Sequence, residues 1–372
     1  MRNPEIPNFG QTQEKTANFF VCEKLLNQAD AIFQVKWYNL LIMRFVVPAK
    51  KQPKIFDAIK QGYETLAAHV YLLLFPIGLD LFFLFGKRLL ITNQVEAMIK
   101  GIIFPPGTTA DMLKSWEEMS SAVLETVKNF SLTAFLRSFP IGVPSLLAFR
   151  PMEANPIGEF ASRQVGSLGS SLLYILGFSL IGFLLGTLFF FLIRNSVRGN
   201  GSVGKKEDLL NRLFSLLAIP TVILLFGIFI ISPILLLISI LSSFLPFLGT
   251  LGYFMLSLGV ISFFIPLTFT AHEILLSGSS FVSAARASIG TVRPTNGKTS
   301  LFIMLAFLGT YATNFLWQVP KDGSWMLIIS ILGHALVTTI FLIASFYFYI
   351  DARNCVRESI LTETSVNEAT GV

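Results

Sequence analysis

The chain has 372 residues, a formal net charge of +6, 53% hydrophobic residues and only 13% charged residues. Soluble domains carry about 25% charged residues, so this composition excludes an ordinary soluble globular protein. The basic residues lie near the ends of apolar segments rather than in one patch, so the positive charge does not indicate nucleic-acid binding. Cys22 and Cys355 lie near opposite ends without a CxxC pair, which favours neither a disulfide framework nor a metal site.

The first predicted crossing helix follows a mixed N-terminal segment. The opening residues 1–16, MRNPEIPNFGQTQEKT, have no apolar core beside their charges, unlike a cleavable signal peptide. We therefore expect a cytoplasmic or interfacial segment with a surface helix at 19–47. Residues 53–88 are predicted as helix one, whose membrane-crossing part lies at about 66–86.

Residues 89–170 are predicted to form an extracytoplasmic helical segment. Between Thr109 and Phe130, apolar residues recur every three or four positions with charged residues between them, which predicts an amphipathic helix. The sequence FPIGVPSLLAF at 139–149 is too short to span a bilayer and contains two prolines. An interfacial or re-entrant stretch is expected there.

The most apolar part of the chain, residues 171–352, is predicted to contain five further crossing helices. The run from Leu213 to Ala271 has no charged side chain and far exceeds the roughly 20 residues that one crossing needs. A tight hairpin is expected where serines, Pro246 and Gly249 interrupt the apolar pattern. The predicted crossings are 171–193, 210–237, 248–272, 300–318 and 325–350.

The predicted fold class is all-α, a polytopic transmembrane helical bundle of about six helices, with five or seven also compatible with the pattern. A barrel is excluded because transmembrane strands alternate polar and apolar residues, whereas these segments are continuously apolar. Residues 353–372 are polar and are predicted to form a disordered cytoplasmic tail.

The basic residues of the short loops predict the orientation. Positively charged loops resist translocation, so they mark the cytoplasmic side. Two loops are basic, whereas the hairpin at Pro246 has no charge and the turn at 318–324 has one lysine. The basic residues are Arg194, Arg198, Lys205, Lys206 and Arg212 in one loop and Arg286, Arg293 and Lys298 in the other. With six crossings, both termini are then cytoplasmic.

Two ionisable residues within the crossings, Asp80 and His334, are the candidate transport or polar sites, because such groups are costly in lipid. Asp80 is either a proton or cation site, next to a carbonyl that Pro76 leaves free, or a carboxylate that pairs with a base or caps a neighbouring helix. His334 either titrates along a path or hydrogen-bonds across helices, for instance to Asn314. The structural role is the commoner one for both.

No catalytic or cofactor motif is complete. His272 and Glu273 begin an HExxH-like string, but Leu276 occupies the second ligand position. Lys298 and its neighbours resemble the end of a phosphate-binding loop, yet the required upstream glycine is missing. We therefore expect no enzyme activity, no metal and no cofactor.

Gly182 and Gly186 form a GxxxG pair, the spacing that lets another backbone approach one face of a helix. These two glycines are the candidate helix-packing residues. The sequence leaves open whether the partner lies within this chain or in another subunit.

Three segments carry a family resemblance: FPIGLDLFFLFGKRL at 75–89, FPIGVPSLL at 139–147 and TAHEILLSGSSFVSAARAS at 270–288. Together they resemble uncharacterised bacterial multi-pass membrane proteins over roughly residues 55–355. The chain is also similar, more loosely, to the six-helix membrane domain found with glycerophosphodiester phosphodiesterases. Without the soluble phosphodiesterase barrel, the resemblance implies a bacterial inner-membrane location and no assigned activity.

Three functional hypotheses follow. The leading one is a non-enzymatic scaffold that organises the lipid bilayer, a membrane-protein partner or a homo-oligomer, because the bundle has almost no internal polarity. The alternative is a permease or a transporter subunit that uses Asp80 and His334. A third hypothesis is an enzyme for lipid headgroups that uses Asp80 with Arg88 or Arg150.

Overall fold

The computed structural model describes residues 52–198 and 206–370. The predicted N-terminal segment, with its surface helix and Cys22, lies outside the described residues, as does Lys205. The helices are α1 Ile55–Ala68, α2 Leu74–Phe85, α3 Thr92–Lys100, α4 Ala110–Lys128, α5 Leu168–Arg198, α6 Lys206–Phe226, α7 Ser232–Phe244, α8 Pro246–Phe264, α9 Thr270–Ser277, α10 Phe281–Val292, α11 Asn296–Trp317 and α12 Met326–Thr370. A π-helical turn, Gly227–Ile231, joins α6 to α7 without a break in direction of the chain.

The predicted multi-pass, all-α fold is confirmed. Within the described residues, five unbroken helical stretches are long and apolar enough to cross a membrane, and each overlaps one of the five crossings predicted after residue 170. They are Leu168–Arg198, Leu210–Phe244, Pro246–Ser277, Asn296–Trp317 and Met326–Leu361. The predicted hairpin is confirmed too, because the chain reverses at Leu245 between α7 and α8.

Helix one is not the single helix that the sequence predicted. The chain bends by 94° between α1 and the stretch Val70–Phe85. Pro76 falls in the first turn of α2, where its missing N–H leaves no bond unmade, whereas in a continuous helix its ring would clash with the preceding turn. The break itself lies at His69, whose backbone (φ −130°, ψ 53°) leaves the helical region.

The bent pair extends along α12 rather than turning back. At one end, the backbone N–H of Lys54 donates to Asp351 at 2.8 Å. At the other, the rings of Phe85 and Trp325 lie 6.3 Å apart. The two contact points are separated by about 39 Å of helix rise, which exceeds the roughly 30 Å of a hydrocarbon core. The pair therefore follows α12 over more than the thickness of a hydrocarbon core, and with it the described residues offer up to six crossings.

Helix α12 lies at the centre of the core and packs against α1, α2, α5 and α11. The backbones of α1 and α12 approach closely at Gly62, where an added Cβ would lie 2.8 Å from the Ile340 carbonyl oxygen. The fully buried side chains of α12 are Leu327, Ile331, Ala335, Thr339, Ile343, Ala344, Phe346, Phe348 and Tyr349. Because so many side chains of α12 are fully buried, the other crossings assemble around this helix.

Helices α6, α7 and α8 form a hairpin that contributes almost nothing to this core. Between Leu217 and Thr268, Gly249 is the one buried residue. Its two arms contact each other, as shown by the stacking of Phe226 on Phe263 at 4.8 Å. We call residues 217–268 the exposed hairpin.

Helix α12 continues to Thr370, so the disordered tail predicted from residue 353 is wrong for the described part of the chain. No glycine or proline follows Asp351 until Gly371. A helix that is already formed extends one residue at a time without a new nucleation cost, which a polar composition alone does not prevent.

Small β-pairings lie in the segment between α2 and α5. The strands are β1 Arg88–Leu90, β2 Ala154–Asn155, β3 Gly158–Glu159 and β4 Ser162–Gln164. β1 pairs in parallel with β4, which brings the start and the end of the segment together, and β2 pairs antiparallel with β3. The predicted amphipathic helix is confirmed as α4, with the Thr109 side chain accepting a hydrogen bond from the Met112 N–H.

Candidate functional site

The stretch that the sequence marked as interfacial or re-entrant is a buried, non-helical segment. We call residues 137–149 the connector. Ile141 and Leu147 are at most 3% exposed, although no regular element holds them. Non-helical backbone at membrane depth is stable only when protein covers it and its polar groups find partners. The groups that form hydrogen bonds with the connector backbone therefore determine whether this segment is stable within the bundle.

Asp80 supplies those partners from α2. Its carboxylate accepts a hydrogen bond from the Ser145 hydroxyl and one each from the N–H groups of Leu146 and Leu147, both at 3.0 Å. Ser145 in turn accepts a hydrogen bond from the Ala148 N–H at 3.0 Å. Asp80 has no exposed surface. The arrangement is a cap over one turn of the connector, close to the capping role that the sequence allowed.

Gly182 and Gly186 hold the connector from the other side. A Cβ at Gly182 would overlap the Leu136 carbonyl oxygen, and one at Gly186 would overlap the backbone of Gly142. The close approach predicted from the GxxxG spacing is confirmed, and the partner lies within the chain. At Gly182 that partner is the end of a 3-10 helical turn, Leu132–Leu136, just before the connector, and at Gly186 it is the irregular backbone of the connector itself. Gly186 lies well inside the span of α5, which supports the re-entrant alternative for the connector.

His334 joins α12 to α11. Its Nδ1 lies 2.8 Å from the Asn314 Oδ1, the contact that the sequence suggested as its structural role. Its Nε2 is buried and has no hydrogen-bond partner in the described part of the chain. The contact at Nδ1 therefore holds the imidazole ring in its orientation, whereas Nε2 has no assigned role.

Arg137, at the start of the connector, brings the two candidate sites into one neighbourhood. It interacts electrostatically with both Asp80 and His334. Its side chain lies over the ring of Phe149, with 5.7 Å between the guanidinium carbon and the ring centroid. Arg137 itself is exposed, so this polar neighbourhood reaches the surface of the bundle.

The structure corrects the basic partners that we expected for Asp80. Arg88 donates to the Met152 carbonyl and lies 3.4 Å from the centre of the Phe160 ring, and its burial lowers its pKa. Arg150 pairs with Asp322 at 3.1 Å. Arg88 and Arg150 therefore anchor the segment between α2 and α5 rather than serving the Asp80 carboxylate. The sequence analysis missed Arg137 and Ser145, although both flank or lie within the segment that it singled out.

The residues of the two incomplete motifs lie at the end of the bundle opposite the turn at 318–324. They are His272, Glu273 and Lys298. His272 Nε2 lies 2.7 Å from the Ser345 hydroxyl, and Glu273 accepts a hydrogen bond from Tyr349 at 2.8 Å. Lys298 is exposed in the first turn of α11. In the described residues, His272 and Glu273 thus bind helix α12 instead of facing each other across a metal site.

Comparison of the chain with protein-family models, curated proteins and solved structures gives no significant match. The resemblance to a phosphodiesterase-associated membrane domain therefore stays a prediction. The geometry of the chain shows a multi-pass helical membrane protein in which the buried Asp80 carboxylate caps the connector.

Proposed function

We propose that this protein is a non-enzymatic membrane scaffold that associates with a second copy of itself through the exposed hairpin. One observation carries the proposal: residues 217–268 are apolar and, apart from Gly249, are not buried within the chain. A large contiguous apolar surface that the chain does not cover is a common mark of an interaction site. Lipid covers part of any such surface in a membrane, so exposure alone does not indicate that a second protein binds there.

The length of the hairpin favours a second copy of the protein over lipid alone. The helical stretch Leu210–Phe244 has 35 residues, which corresponds to about 52 Å of helix. A hydrocarbon core is about 30 Å thick, and one way in which an overlong apolar helix is accommodated is oligomerisation. The stretch from Leu213 to Ala271 has no charged side chain, so two copies can pack there without like-charge repulsion.

Cysteine cross-linking in native membranes tests the self-association. The starting protein carries Cys22→Ser and Cys355→Ser, which removes both natural cysteines. Phe229→Cys places a thiol on the hairpin, where the side chain is 71% exposed. The matched control is Phe307→Cys on α11, where the side chain is 66% exposed.

We expect a disulfide-linked dimer from the Phe229→Cys protein and much less from the Phe307→Cys protein. Equal dimer yields from the two positions would mean random collision and reject the proposal. A cross-linked product that contains a different protein would replace the second copy with that partner.

A permease is the second candidate, favoured by the polar neighbourhood of Asp80, Arg137 and His334. Broken helices beside irregular backbone form the binding sites of several transporter folds. The test is solute and proton movement into liposomes that contain the purified protein. Movement above that of empty vesicles, abolished by Asp80→Asn and His334→Ala in variants that elute as folded protein, would favour the permease over the scaffold.

We also propose a bacterial cytoplasmic membrane, with both termini and the two basic loops on the cytoplasmic side. The support is the excess of lysine and arginine in those loops, described above.

A further inference from the structure

Two short helices leave the bundle together between α2 and the connector. We call residues 91–130 the α3–α4 arm, which contains α3, α4 and the loop between them. The backbone N–H of Leu89 donates to the Ser131 hydroxyl at 3.1 Å, so the arm leaves and rejoins the fold at one place. Not one residue of the arm is buried by the described chain. The α3–α4 arm therefore contributes surface to the protein rather than core.

The base of the arm lies where the crossings end. The rings of Phe85 and Trp325, at the end of α2 and just before α12, lie 6.3 Å apart. In α3, the side-chain amide of Gln94 donates to the Val165 carbonyl at 2.7 Å, and its oxygen accepts from the Ser171 hydroxyl at 2.9 Å. Ser171 lies in the first turn of α5. The start of α3 is therefore held at the depth where an apolar crossing begins, which is the membrane interface.

The tip of the arm is apolar and uncharged. Residues 101–110, GIIFPPGTTA, contain no charged side chain, and Ile103 is 92% exposed. Phe104 packs on Trp116 of α4, with 5.7 Å between the ring centroids, which holds the loop against the next helix. A fully exposed isoleucine in an uncharged loop favours contact with an apolar phase over contact with water.

Helix α4 continues the apolar surface of the tip. Met112, Met119 and Val123 are seven and four positions apart, which places them on one side of the helix, and all three are exposed. We call these three residues the α4 stripe. The charged residues of α4 lie on the opposite side: Asp111, Lys114, Glu117, Glu118, Glu125 and Lys128. A helix with this division between an apolar and a charged side is suited to lie in the plane of a membrane interface.

The lipid surface is within reach of the tip. From Gln94 to Lys100 the helix rises about 9 Å, and the three residues up to Ile103 add at most about 10 Å. The tip therefore lies within about 20 Å of the level at which α5 begins. A lipid occupant requires no other molecule to be brought to the arm, because the base of the arm already lies at the bilayer.

We propose that the α3–α4 arm binds the surface of the bilayer, with Ile103 and the α4 stripe inserted among the phospholipids. The contact is apolar and independent of headgroup charge, because the charged side of α4 carries four acidic and two basic residues and gains nothing from anionic lipid. It is separate from the exposed hairpin and does not depend on self-association.

Quenching of a fluorescent label by lipid tests the proposal. The full-length protein carries Cys22→Ser and Cys355→Ser and is reconstituted at one copy per phosphatidylcholine nanodisc. Ile103→Cys or Met112→Cys then carries a polarity-sensitive fluorophore. The matched control is Ser121→Cys, which is also exposed. Ser121 follows Met112 by nine positions, or two and a half turns, so it lies on the opposite side of α4.

We expect brominated phosphatidylcholine to quench most of the fluorescence at positions 103 and 112 and little at position 121. Iodide in the aqueous phase should show the reverse order. Ile103→Glu, introduced into the labelled Met112→Cys protein, should reduce the quenching by lipid, because a carboxylate at the tip is costly among acyl chains. This variant also shows whether the arm, rather than the dye, drives the insertion.

Equal responses of the three positions to each quencher would overturn the proposal, as would quenching of position 103 by iodide alone. If position 103 is shielded from both quenchers only in discs that hold two copies, the occupant is the second copy and the lipid proposal is wrong. A failure of the cross-linking at the exposed hairpin would leave these expectations unchanged.

Discussion

Asp80 shows how a charged residue inside a membrane protein can serve structure. The carboxylate and the connector each carry polar groups that lipid cannot satisfy, and each satisfies the other. Aspartate suits this task because its two oxygens accept several N–H and O–H donors at once. From the sequence, an aspartate within a crossing indicates a functional site. The hydrogen bonds that Asp80 accepts from the connector backbone explain its burial instead.

We predict that Asp80→Ala destabilises the protein by about 3 kcal/mol or more. The substitution leaves the N–H groups of Leu146 and Leu147 buried without acceptors, at about 1–3 kcal/mol each. The measurement is the unfolding midpoint of the purified protein in mixed detergent. Asp111→Asn, on the exposed face of α4, is the control and should leave the midpoint unchanged. An Asp80→Ala midpoint equal to that of the wild type would contradict the capping role.

At the scale of elements, α5 and the connector fit together because two glycines leave room for backbone. The rest of α5 meets lipid or side chains, where a larger residue is tolerated. Gly177, one and a half turns before Gly182 on the same helix, has open space where its side chain would be. The two positions therefore provide a matched pair for testing the contact.

We predict that Gly182→Ala destabilises the protein, whereas Gly177→Ala leaves it unchanged or makes it more stable by up to about 1 kcal/mol. Alanine favours helix over glycine at both positions, but at Gly182 its methyl group would displace the Leu136 carbonyl. Thermal unfolding followed by intrinsic fluorescence compares the two variants. If both shift the midpoint in the same direction and by the same amount, the proposed packing of the connector on α5 is wrong.

At the scale of the whole molecule, the proposed orientation predicts which loops are reachable from outside the cell. In a protein without natural cysteines, Lys321→Cys should react with a membrane-impermeant maleimide in intact cells. Gly297→Cys, also exposed but at the opposite end, should react only after the cells are opened. Labelling of Gly297→Cys in intact cells would reverse the orientation.

The number and position of the crossings were predictable because they depend on composition alone. A helix in lipid needs a sufficient apolar length, and Pro246 interrupts the longest run at the place where α7 meets α8. The break at His69 was harder to predict, because no glycine or proline lies between Gly62 and Pro76 to mark it.

The pairing of residues far apart in the chain was not predictable. Asp80 was recognisable as a costly group, but Ser145 and Arg137 become its neighbours only when the connector folds back between α2 and α5. One sequence contains no information on that contact, since many serines and arginines are equally plausible partners. The GxxxG pair predicted a close approach, and its irregular partner became visible only in three dimensions.

The uneven burial of the chain has a consequence for how its relatives diverge. Within the exposed hairpin, an exchange of one aliphatic or aromatic residue for another keeps the solubility in lipid and disturbs no internal neighbour. At Gly182 and Gly186, any exchange moves the main chain. Homologues should therefore differ more in which apolar residue occupies a hairpin position outside the contact with the second copy, and should hardly change where α5 meets the connector.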